Sequence, residues 1–160
     1  MEQAPPVRTT LLERSVSALD RIAQRRGRST QTPPHLALGL AGEDAAFFHL
    51  RRKGYKIVAR RWSSGDVPGD LDLIAWQGSL LCFIEVKTRS ERDTSPAEVA
   101  VDAHKRRVLR RLARRYVRQL PHAEAPPVRF DIVSVYLQPG RPPEIVHFES
   151  TFGWNERHED

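Results

Sequence analysis

Two carboxylates and a lysine interrupt neighbouring apolar runs. Asp72 lies in Gly69-Asp70-Leu71-Asp72-Leu73-Ile74, and Glu85 and Lys87 lie in Phe83-Ile84-Glu85-Val86-Lys87-Thr88. A charge inside a strand-like run is costly to bury without a partner. Two carboxylates can hold a divalent cation, and a lysine beside them can stabilise or activate an oxyanion. Such a set is suited to hydrolysing a phosphodiester bond.

Side chains alternate along a strand, so Leu81, Phe83, Glu85 and Lys87 share one face, as do Asp70, Asp72 and Ile74. Gln77-Gly78 marks a tight turn between the two runs. Directly opposed residues of an antiparallel pair project from the same face. A two-residue turn at Gln77-Gly78 sets Asp72 against Phe83 and Asp70 against Glu85, whereas a four-residue loop sets Asp72 against Glu85. Either even loop keeps Asp72 and Glu85 on one face, about 4.5–8 Å apart at their β-carbons. A three-residue loop separates them. Carboxylates this close raise each other's pKa unless a cation joins them. Mg²⁺, or Mn²⁺ in its place, takes oxygen ligands and retains several waters. Asp72, Glu85, the carbonyl of Val86, water and a substrate phosphate can supply such a shell, with Glu43 bound directly or through water. Lys87 can orient or deprotonate the attacking water, or neutralise the transition state. The competing reading is a structural ion pair in which Lys87 satisfies Glu85 or Asp72.

The elements that must position these groups read as α/β. A helix is expected over 36–53, stopped by Gly54, with Leu36, Leu40, Phe47 and Leu50 inward and Glu43 in the same row. Strands are expected over 55–62, 70–76, 80–88, 129–137 and 144–149. A second helix over 96–118 breaks near Asp102-Ala103. The order α-β-β-β-α-β-β suggests a sheet flanked by helices. Residues 35–154 form the domain. Residues 1–34 form a basic extension bracketed by Pro5-Pro6 and Pro33-Pro34, either weakly ordered or carrying a short helix opened by the Thr10–Glu13 capping box. Residues 155–160 are a polar tail.

The chain has 160 residues and a formal charge of +6, a size for one domain and a balance that favours polyanions, nucleic acids above all. No apolar run reaches about 18 residues and no secretory h-region opens the chain, so neither a membrane span nor a signal is expected. A lone cysteine, Cys82, fits a reducing cytoplasm and reads as a small packed hydrophobe. The six histidines show no metal-ligand spacing, and Trp62 and Trp76 read as packing residues. There is no Ser/His/Asp set, phosphate-cradling glycine loop or zinc signature.

Positive charge concentrates over 105–118, where Lys105, Arg106, Arg107, Arg110, Arg111, Arg114, Arg115 and Arg118 occur without an acid. On a helical wheel Val108, Leu109, Leu112, Ala113, Tyr116 and Val117 take one half, and the arginines take the other half or its edges. Lys105 falls on the apolar side, toward the sheet. The arginine face is either a phosphate-backbone contact or a solvated outer face. Arg89, Arg92 and Lys105 are placed closer to the acids, and with Arg106 are the expected nucleic-acid contacts.

The blocks Leu38-Gly39-Leu40-Ala41-Gly42-Glu43, Lys53-Gly54-Tyr55, 69–74, 83–89, Lys105 and Arg129-Phe130-Asp131, in this order, carry a resemblance. Over roughly 38–154 the chain resembles the YraN-like family of small bacterial proteins, within the PD-(D/E)XK restriction-endonuclease-like superfamily. The resemblance implies a mixed β-sheet flanked by helices, similar to archaeal Holliday-junction resolvases. It implies a metal site built from Glu43, Asp72, Glu85 and Lys87, and binding of DNA, branched DNA included. Junction-cutting relatives act as two-fold dimers, which makes a homodimer an implied partner state. Cleavage does not follow, because the superfamily includes inactive binding proteins. The chain departs from the family pattern at Asp70, usually Glu, at Arg61, usually Asn, and after Thr88-Arg89, where a usual Phe-Gly is missing. Three functions are therefore in contention: a metal-dependent DNA endonuclease, an inactive nucleic-acid-binding protein acting in repair, recombination or uptake, and a structural domain whose acids form an ion-pair network.

Overall fold

A computed structural model of the chain describes residues 33–90, 101–121 and 124–155. The expected N-terminal helix, Arg92, His122 and the last five residues lie outside the described residues. Helix α1, Pro34–Arg52, opens on a proline, whose missing N–H costs nothing in a first turn. It closes at Gly54, whose φ of 88° suits a residue without a β-carbon. Strands β1, Lys56–Ser64, β2, Val67–Gln77, and β3, Leu80–Arg89, follow as an antiparallel meander. Helix α2, Ala103–Val117, begins where Asp102 caps it, its side chain accepting the Lys105 amide at 2.8 Å. The chain returns as β4, Val128–Tyr136, and β5, Glu144–Phe152.

The sheet order is β1-β2-β3-β4-β5, with β3 and β4 parallel and every other pair antiparallel. The mixed sheet and the order α-β-β-β-α-β-β are those expected. Strands β2 and β5 run longer than their apolar patterns indicate, and Gly65-Asp66 alone separates β1 from β2. The β2–β3 turn falls at Gly78-Ser79, one residue beyond the expected position, because Gln77 pairs with Leu80. Gly78 there has a φ of 61°, the left-handed conformation a tight hairpin uses.

Each face of the sheet carries one core. Val67, Leu71, Ile74, Leu81, Phe83, Phe130 and Ile132 pack with Leu109, Leu112 and Ala113 of α2. Leu73, Ala75, Cys82, Ile84, Val86, Val133 and Val135 pack with Ala46 and Leu50 of α1. Each fully buried large side chain contributes about 1.5–3 kcal/mol. The inward face of α1 corrects the expectation. Gly42, Ala46 and Leu50 are its buried residues, whereas Leu36 is 54 % exposed. The cause is close approach: a β-carbon on Gly42 would lie 1.9 Å from Thr88 Oγ1 of β3. A helix seated this tightly needs small residues on its inner face, so counting large apolar residues misplaces that face.

Candidate metal site and a neighbouring polar network

The β2–β3 register runs Gln77↔Leu80, Trp76↔Leu81, Ala75↔Cys82, Ile74↔Phe83 and Leu73↔Ile84. Extended by one residue, it sets Asp72 against Glu85, the even register the site requires. The backbone ladder stops at Leu73↔Ile84, and beyond it a side chain substitutes for the strand. Asp72 Oδ2 accepts the Val86 amide at 2.7 Å. The Val86 backbone, whose carbonyl is the expected ligand, is thus tied to Asp72 through its N–H.

Glu85 is 5 % exposed on the α2 side of β3. Its Oε1 accepts Lys87 Nζ at 2.9 Å and lies 3.1 Å from Lys105 Nζ. Lys105 therefore points inward from the first turn of α2, as its wheel position indicates. Glu85 Oε2 is buried and has no hydrogen-bond partner among the described residues. Burial first, and the Glu85 charge second, push the Asp72 carboxyl up to about 7. Burial opposes charge on Lys105, but Glu85, Asp72 and Asp70 outweigh it and hold Lys105 above the usual lysine range.

Glu43 approaches from α1, close enough for its charge to act on Asp72. Its Oε2 accepts Arg61 Nε at 2.6 Å, and neighbouring Asp44 pairs with Arg60. Among the described residues no three His, Cys, Asp or Glu side chains converge closely enough to hold a metal ion. The pair at the centre is Asp72 and Glu85, with Glu43 beside it. Arg61 has a φ of 46°, a conformation in which Asn is enriched and long side chains are rare. At this position, where the resemblance implies an asparagine, the longer Arg61 side chain reaches Glu43.

The other expected nucleic-acid contacts fall differently. Arg89 ends β3, and its carbonyl accepts the Leu137 amide at 2.8 Å. Arg106 is half-buried, donates to the Val101 carbonyl at 2.8 Å and stacks over Phe152, so it serves packing.

A second buried acid lies outside the expected site. Asp131 is 1 % exposed on β4, facing α1. Its Oδ1 accepts Arg129 Nε at 2.8 Å and the Ser150 amide at 3.0 Å. Its Oδ2 meets Arg129 at 2.8 Å and His147 Nε2 at 2.9 Å. Burial alone would raise the Asp131 pKa, but His147, Arg129 and the Ser150 amide hold it below the usual carboxylate range. Arg129 also donates to the Tyr55 hydroxyl, which donates to Glu149. His147, taken as a surface or packing residue, is thus part of a closed network. The alternating charges Arg129 and Asp131 within an apolar strand were the available signal.

In comparisons with known proteins, a family model described as "Uncharacterised protein family UPF0102" matches residues 42–135, which include Asp72, Glu85, Lys87, Lys105 and Asp131. A UPF0102 protein of Koribacter versatilis is 54 % identical over 121 residues, 75 % of this chain and 82 % of that protein. One from Solibacter usitatus is 46 % identical over 123 residues, 77 % of this chain and 90 % of that protein. One from Symbiobacterium thermophilum is 47 % identical over 105 residues, 64 % of this chain and 83 % of that protein. The YraN-like resemblance read from the motif blocks is borne out, and the chain belongs to the uncharacterised protein family UPF0102.

Proposed function

We propose that the protein is a divalent-metal-dependent DNA endonuclease. The observation that carries this reading is the buried Glu85 Oε2, without a partner among the described residues, beside an Asp72 carboxyl pushed up to about 7. A buried polar atom without a partner costs roughly 1–3 kcal/mol, so its retention calls for a ligand. Two oxygen donors in a partly hydrated setting suit Mg²⁺ or Mn²⁺. When bound, such a cation polarises a phosphate and lowers the pKa of its water. Asp72 and Glu85 are the residues that would hold it, with Glu43 contributing through water.

The lysines then have separate tasks. Lys87, on the same strand face as Glu85, orients the attacking water or takes its proton. Lys105 arrives from α2 and neutralises charge developing on the phosphate oxygens. Both are poised by Glu85, which holds two ammonium groups on one oxygen.

A second reading, nucleic-acid binding without cleavage, draws on Arg61. By pairing with Glu43 it leaves Asp72 and Glu85 to hold a cation where the family resemblance implies three acids. One assay decides between the two. Purified protein is incubated with labelled linear, flapped and four-way-junction DNA in Mg²⁺, Mn²⁺ or EDTA, beside Asp72→Asn and Lys87→Ala. Metal-dependent cutting lost in both variants is expected. Binding without cutting, unchanged in the variants, favours the second reading. Cutting that survives Asp72→Asn removes the mechanism.

A further inference from the structure

Helix α2 carries Lys105 inward to Glu85, yet most of its charge points the other way. Arg107, Arg111, Arg114 and Arg118 are exposed. They recur at i, i+4, i+7 and i+11, so they form one line along the helix, roughly 16 Å long at 1.5 Å per residue. No acid occurs between Ala103 and Val117. Arg107, Arg111 and Arg118 make no side-chain hydrogen bond or ion pair among the described residues, whereas Arg115 pairs with Asp66. Like charges at i, i+4 destabilise a helix. An ordinary solvated face would intersperse glutamates to relieve this, and α2 does not.

The line also has shape. Arg107, Arg110, Arg111, Arg114 and Asn155 border an open cavity of about 430 Å³, with no carboxylate in its wall among the described residues. The end of β5 and the residues after it preset two of its guanidiniums. Arg110 is 7 % exposed, donates to the Gly153 carbonyl at 2.9 Å and lies 5.3 Å from the Phe152 ring centroid. Arg114 lies 5.5 Å from the Trp154 ring centroid and donates to the Trp154 carbonyl at 3.4 Å. Guanidiniums held in place lose less freedom on meeting an anion.

We infer that the outer face of α2 is a second docking surface for nucleic acid, holding a stretch of duplex phosphate backbone separate from the strand at Asp72 and Glu85. The separation follows from the helix itself. Lys105 and the arginine line lie on opposite sides of a cylinder about 10 Å across. One straight strand does not touch both, but a second arm of a branched or bent substrate does. The surface reads phosphates and gives no base selectivity. This inference rests on the nucleic-acid reading above and adds where the rest of the substrate lies.

The test uses full-length protein, Ca²⁺ in place of Mg²⁺ to prevent cutting, and a four-way DNA junction with 20-base-pair arms. Arg107, Arg111 and Arg118 are replaced together by Gln, sparing Arg110 and Arg114, which also pack. A second variant replaces the same three with Lys. Hydroxyl-radical footprints of the wild type are expected to show two separated protected patches. The Gln variant should lose one patch and keep the other. Its log-affinity slope against log salt should flatten by about 2.7, at about 0.9 per phosphate contact. The Lys variant should retain both patches, and unchanged thermal midpoints exclude misfolding as the cause. A Gln variant with the wild-type footprint and slope overturns the inference and leaves the nuclease reading standing. So does loss of both patches together, which would place the arginines in a single footprint. A wild type that binds anionic lipid vesicles and no DNA overturns both.

Discussion

Two buried acids on adjacent strands meet opposite fates. Asp131 on β4 has both oxygens satisfied by Arg129, His147 and the Ser150 amide, and its pKa is held down. Glu85 on β3 places two ammonium groups on one oxygen and leaves the other without a partner among the described residues, while the neighbouring Asp72 carboxyl is pushed up. The Asp131 network is closed, and it ties β4 to β5 and to Tyr55 in the turn before β1. The Glu85 cluster is incomplete, and incompleteness in a buried site is where a ligand gains most. The difference separates a satisfied charge network from one that leaves room for a ligand.

The sharpest way to break the contrast is Asp131→Ala. It takes away the buried carboxylate partner of the Arg129 guanidinium, leaving only Glu149 and the Tyr55 hydroxyl, and is expected to cost about 3 kcal/mol in urea unfolding. Glu85→Gln should cost far less in metal-free buffer, and equal losses would erase the distinction. Metal addition comes next. At a Mg²⁺ concentration about 100 times the dissociation constant, the wild type should gain about 2.7 kcal/mol and Asp72→Asn should gain none. The two acids also pull stability in opposite directions with pH. Asp72 is held above its ordinary 3.8, so its contribution is full below 3.8 and is lost as pH rises toward 7. Asp131 is held below that value, so its contribution is present above 3.8 and is lost as pH falls. Metal-free melting curves of the wild type and Asp72→Asn between pH 4 and 8 should therefore converge at the acid end and separate toward neutrality.

Gly42→Ala tests the seating of α1, which brings Glu43 to the acids. Its β-carbon meets Thr88 and should cost about 1–3 kcal/mol, with a parallel loss of metal affinity. The smallest effect is expected from Arg61→Asn. It gives up an exposed ion pair worth about 0.2–1 kcal/mol and relieves an unfavourable backbone conformation, so stability should scarcely move. Mg²⁺ affinity, read by titration calorimetry, should rise as Glu43 is freed. Unchanged affinity would remove Glu43 from the site.

The sequence made one half of this contrast legible. Asp72, Glu85 and Lys87 are close in the chain, and strand alternation with an even turn is enough to bring them together. Lys105 was legible for the same reason, as a charge on the wrong side of an amphipathic helix. The Asp131 network was not, because its partners come from β5 and from Tyr55, in the turn between α1 and β1. Long-range polar pairing leaves no periodic trace. Arg110 misled similarly: the wheel puts it at the edge of the polar face, and Phe152 and the Gly153 carbonyl draw it inside. The face of α1 was hidden by a different cause, since close packing selects small residues that hydrophobic patterning undercounts.

The single parallel pairing in the sheet bears on the order in which the site forms. Asp72 and Glu85 lie 13 residues apart in a local meander, whereas Glu85 meets Ile132 of β4 across the α2 crossover. Contacts distant in sequence close later, because loop entropy is lost before they repay it. Lys87 is therefore beside the two acids from the first hairpins, and Lys105 joins once the crossover has packed. If assembly runs in this order, Lys105→Met should speed unfolding while leaving the folding rate nearly unchanged, and stopped-flow measurement of both rates would reveal it. A slowed folding limb would mean instead that the helix lysine is already in place at the barrier.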